Sequence, residues 1–78
     1  MAIVDLTSMK VGEIGIIVEI QGGHGLMRRT QVLGLRQGKK VTKVSSQFLR
    51  GPITVRIDNL QVAIGFGMAR KIIVEIER

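Results

Sequence analysis

The chain has no cysteine, no tryptophan and no tyrosine, and it has one proline and one histidine in 78 residues. Without cysteine, no disulfide can supplement a small core; a reducing compartment is compatible with that composition. Two aromatic rings, Phe48 and Phe66, are too few for the stacking platforms on which single-strand nucleic-acid binders hold bases. His24 has no thiolate to join it. A metal site would need it to converge with carboxylates such as Asp5, Glu13 or Glu75, and no ligand spacing supports that. No apolar run approaches the ~20 residues that span a bilayer. The start, MAIVDLTS, lacks the basic and apolar regions of a signal peptide, so a soluble, cytoplasmic chain is expected.

Catalytic patterns are missing too. No serine–histidine–acid arrangement, carboxylate pair or cofactor fingerprint can be traced, so the reading is a non-enzyme with no cofactor and no metal site. The segment from Gln21 to Gly25 is glycine-rich, but it lacks the Lys-Ser/Thr end of a P-loop and the spacing of a dinucleotide fingerprint. It reads as a strand-to-helix connector.

What is present is β-branched and basic. Twenty residues are Ile or Val, which favour strands. The net charge is +6, and it is uneven: between Gln21 and Lys71 lie ten Lys or Arg against one acid, Asp58. That imbalance points to an acidic partner, either nucleic acid, anionic headgroups or an acidic protein surface. The plain alternative is a solvated basic exterior.

Leu26, Thr30 and Leu33 recur at i, i+4 and i+7, which predicts one short helix from about Leu26 to Leu33. Gly34 supplies the left-handed residue that ends it, and Gly38 a second turn. The rest reads as strand and turn. Ile3 to Leu6 is an edge strand or an extended lead-in, and Lys10-Val11-Gly12-Glu13 is a tight turn. Ile14 to Ile20 is the first full strand, with Ile14, Ile16, Val18 and Ile20 on one face. Gly15, Ile17 and Glu19 share the other face, which Glu19 marks as at least partly wet, and Gly15 permits a bend or a close backbone approach.

Lys40 to Ser46 is a strand in which the differing parity of Val41 and Val44 predicts a bulge or an exposed valine. Ile53 to Asp58 alternates cleanly, turns at Asp58-Asn59 and returns over Leu60 to Ile64 as a hairpin. Gly65 to Arg70 has room for one helical turn. Ile72, Val74 and Ile76 form the last strand, with Glu75 and Glu77 outward. About five strands and one helix in a single domain over 1–78 predict a mainly β protein, a small closed or partly closed barrel.

The run LMRRTQVLGLRQGKKV resembles the signature of the ferrous iron transport protein A family, FeoA: Leu33-Gly34-Leu35 and then Gly38 fill its glycine pattern. Lys10-Val11-Gly12-Glu13 matches that family's Lys-x-Gly-Glu turn, Gly51-Pro52 precedes a strand as expected, and Ala63-Ile64, Ala69, Ile72 and Val74 match its closing pattern. Thr30 and Phe48 depart from it, standing where leucine and proline are more usual. The resemblance implies an SH3-like barrel that serves as an accessory of ferrous iron uptake beside the membrane GTP-binding transporter FeoB, and it brings transition-metal homeostasis with it. A similar domain ends iron-dependent repressors; with no DNA-binding helix pair in this chain, the free-standing form is expected. The candidate partner-binding residues are the bases on and just after the helix: Arg28, Arg29, Arg36, Lys39 and Lys40. The competing reading is a basic nucleic-acid-binding barrel, against which the shortage of aromatics weighs.

Overall fold

A computed structural model describes residues 1–22, 28, 34–46 and 50–77. Six strands form one antiparallel sheet: β1 (Ala2–Asp5), β2 (Ile14–Ile20), β3 (Lys40–Ser46), β4 (Ile53–Ile57), β5 (Leu60–Ile64) and β6 (Ile72–Ile76). Their order across the sheet is β1-β6-β2-β3-β4-β5. The lead-in at the N-terminus is thus a true strand, paired to β6 from Ala2↔Ile76 to Asp5↔Ile73, which makes six strands where about five are expected. The sheet is not closed, because β1 and β5 are its two edges. The predicted helix from Leu26 to Leu33 lies outside the described residues apart from Arg28, which is helical and exposed. One described helix, α1 (Phe66–Ala69), is the single turn expected between the last two strands.

Strand alternation puts Val41 on β3, Ile53, Val55 and Ile57 on β4, Ile64 on β5 and Ile72, Val74 and Ile76 on β6 into one buried cluster, with Ile17 from β2. Leu6 and Met9, around a 3-10 turn (Leu6–Ser8), close one side, and Leu35 and Ala69 complete it. Such β-branched side chains lose little rotamer freedom on burial, and each contributes roughly 1.5–3 kcal/mol when fully removed from water.

β2 reverses the expected facing. Gly15 and Ile17 point inward, whereas Ile14 and Ile16 are exposed by 53% and 38%. A β-bulge between Ile17 and Glu19, in the pairing with β6, then shifts the register. Beyond it Glu19 is outward and Ile20 is half-buried against the core. The reason is steric. A β-carbon on Gly15 would lie 3.0 Å from Ile76 Cγ2, 3.1 Å from Val74 Cβ and 3.2 Å from the Glu75 carbonyl oxygen. Only glycine lets β2 and β6 approach this closely with that face turned in.

Of the bulge or exposed valine expected in β3, the bulge is present, between Lys43 and Ser45 where the strand pairs with β4. It leaves Val41 and Lys43 on the inner face and Val44 half-buried. The Lys10–Glu13 turn is closed by the Glu13 N–H donating to the Lys10 carbonyl at 2.9 Å, with Gly12 at φ +93. Gly34 and Gly38 also have positive φ, +85 and +91. The two-residue hairpin loop of β4 and β5 puts Asp58 at φ +56, a conformation that aspartate tolerates better than most residues.

Candidate basic face

The turn that carries Arg36 is fastened to β2 at several points. The Gly38 N–H donates to the Ile17 carbonyl at 2.7 Å, and the Ile17 N–H donates to the Lys39 carbonyl at 2.9 Å. The Gln37 side-chain amide reaches the Val18 carbonyl at 2.7 Å, and the Lys39 N–H closes the turn on the Arg36 carbonyl at 3.1 Å. Arg36 and Lys40 are therefore exposed side chains on fixed backbone.

The five sequence-predicted bases are placed differently from one another. Arg28, Arg36 and Lys40 are exposed. Arg29 lies outside the described residues. Lys39 is half-buried and its ammonium sits 3.0 Å from Asp58 Oδ2, so this charge is committed to the β4–β5 hairpin loop. Because the carboxylate is largely exposed, the pair contributes little to stability.

Arg56 was not among the expected residues, yet it belongs with Lys40. Thr42 pairs across the sheet with Arg56, which brings Lys40, Thr42, Arg56, Asp58 and Asn59 around an open groove of about 480 Å³. Its signal in the sequence was the alternation of β4, which turns Thr54, Arg56 and Asp58 outward; what hid it was the strand register. A lysine ammonium beside an arginine fork suits a carboxylate: the first supplies a mobile point charge and the second a planar pair of donors. A second open groove, of about 440 Å³, is lined by Gln21, Gly67, Arg70 and Lys71.

Lys43 is one of the ten bases between Gln21 and Lys71, yet it belongs to the interior. It is 3% exposed, and its ammonium donates to three backbone carbonyls: Leu6 and Thr7 at 3.1 Å and Met9 at 2.6 Å. Burial lowers its pKa, while the charges of Asp5 and Glu13 act in the opposite direction. Its position two residues from Val41, on the same parity, was the available clue.

Among the described residues no three His, Cys, Asp or Glu side chains come together as a set of metal ligands, and His24 lies outside them. No described helix is long and apolar enough to cross a membrane. Phe66 packs against the core, and the Arg50 guanidinium carbon lies 5.7 Å from its ring centroid, so the ring is committed to the fold.

The model of the FeoA domain matches residues 4–76. A protein of Methanocaldococcus jannaschii that carries the name Fe(2+) transport protein A is 36% identical over 70 residues, covering 90% of this chain and 83% of its own length. The crystal structure of an iron uptake regulatory protein, FeoA, superposes with a TM-score of 0.90 at 31% identity, over 99% of this chain and all of that one. A manganese-dependent transcriptional repressor superposes with a TM-score of 0.88 at 21% identity, over 96% of this chain and 42% of its own. At that identity the likeness is one of SH3-like fold.

Proposed function

The chain belongs to the FeoA domain family, and on that premise we propose that it is a non-enzymatic accessory of ferrous iron uptake, working in the cytoplasm by contact with the cytoplasmic region of the membrane transporter FeoB. The observation that supports this reading is the fixed display of Arg36 and Lys40, which carry no ion pair among the described residues. With Arg56 beside Lys40, they form a basic face built for an acidic protein surface. As an accessory the protein needs no cofactor of its own. Ferrous iron is the transporter's cargo.

The test is the affinity of the isolated protein for FeoB's cytoplasmic region, measured with the parent and with Arg28→Glu, Arg36→Glu and Lys40→Glu combined. Exposed charges contribute little to stability, so the variant should melt close to the parent. Its affinity should fall by about tenfold or more, and the parent complex should weaken as salt rises. Unchanged affinity in a folded variant would remove the basic face from the interaction.

A further inference from the structure

The outer face of the sheet carries a wider arrangement, of which the basic face takes in only Lys40 and Arg56. Register places Ile3, Glu75, Ile16 and Lys40 in one row across β1, β6, β2 and β3. A neighbouring row, two residues along β2, is headed by Ile14 and continues through Thr42 and Arg56. Since paired residues point to the same side, the central strand presents Ile14 and Ile16 to solvent, with Ile3 beyond Glu75 and 56% exposed. On one flank of this apolar strip stand Glu75 and Glu77; on the other stand Lys40 and Arg56. None of these four side chains has an ion-pair partner among the described residues.

We infer that this face pairs with a second copy of the chain about a two-fold axis running along β2. Such a rotation lays the left flank of one copy on the right flank of the other. Ile16 then meets Ile16, Glu75 of each copy meets Lys40 of its partner, and Glu77 comes over the Thr42–Arg56 side. An isologous contact requires a surface complementary to itself, and acid–apolar–base across three strands meets that requirement in one step. A single-sign partner would satisfy only one flank. Face-to-face sheets sit about 10 Å apart, close enough for these side chains to interdigitate. The strip is narrow, about three strands wide, beside a standard interface of roughly 800 Å² per partner, so the dimer is a weak one.

The experiment is sedimentation equilibrium of the protein alone at low salt, from ~10 µM to ~1 mM, the range in which a contact of this size associates. The parent should pass from monomer to dimer across that range, and added salt should shift the transition upward. Ile16→Lys is an outward substitution that leaves the core intact, and it should abolish association. Glu75→Lys should weaken it by about tenfold, and Glu75→Lys with Lys40→Glu should restore it to near the parent value, since the flanks are only exchanged. A parent that stays monomeric throughout, association that survives Ile16→Lys, or a double variant no better than the single one would each overturn the inference. The transporter takes no part in the measurement, so its outcome is independent of the docking experiment.

Discussion

The Lys43 ammonium lies 2.6 Å from the carbonyl oxygen of Met9, joining the third strand to the turn that follows the first. The same nitrogen bonds the Leu6 and Thr7 carbonyls at 3.1 Å, so all three of its donors are used. The turn itself is capped from the other end by Asp5, whose carboxylate accepts from the Ser8 N–H at 3.1 Å and from the Thr7 hydroxyl. A cation thus acts as the C-terminal cap of a 3-10 turn from a strand more than thirty residues away.

Replacing Lys43 with methionine keeps the apolar stem and removes the donors. The three carbonyls would be left short of partners, which costs roughly 1–3 kcal/mol for each buried one, offset by relief from burying a charge. A net loss of about 2 kcal/mol or more is expected in urea unfolding near neutral pH. A variant as stable as the parent would mean that the carbonyls find other donors.

The pH dependence has a definite sign. Burial lowers the folded-state pKa of Lys43, so below that value both folded and unfolded chains carry the proton and the burial cost is present in full. Between the lowered value and the ordinary lysine range the unfolded chain binds more protons, and stability rises with pH. The stability difference between the parent and Lys43→Met should therefore grow in the parent's favour as pH rises toward the ordinary lysine range, about pH 10. The opposite trend would show that Asp5 and Glu13 outweigh desolvation.

Gly15→Ala should be costly although alanine is small. The added carbon meets the Glu75 carbonyl at 3.2 Å and Val74 Cβ at 3.1 Å, neither being the free end of a flexible chain. Forced separation of β2 from β6 is expected to cost about 1–3 kcal/mol, read as a lowered melting temperature. Retained stability would mean that the two strands can part without loss.

Gly34→Val tests backbone conformation alone, because nothing lies within 4 Å of a β-carbon placed there. At φ +85 a branched residue is strained, and a loss of more than ~1 kcal/mol is expected. Gly34→Asn should recover part of it, since asparagine enters this region more readily. Equal stability of the valine and parent proteins would show that the turn relaxes to negative φ.

Much of the fold was legible because it rests on local chemistry. The last four strands follow from alternation and turn residues, Gly12, Gly34 and Gly38 mark positive φ, and the conflicting parity of Val41 and Val44 announces the bulge in β3. The facing of β2 was not legible: Ile14, Ile16, Val18 and Ile20 make one parity look like the core, and period two alone cannot choose. The close approach of β6 to Gly15 and the bulge at Ile17/Glu19 choose instead, turning Ile14 and Ile16 outward. Lys43 and Arg56 show the same limit at the level of charge. Local sequence marks both as basic, but only the meeting of three carbonyls buries one, and only strand register sets the other beside Lys40. Hydrogen-bond partners and cross-strand neighbours come from residues distant in the chain, so tertiary structure decides them.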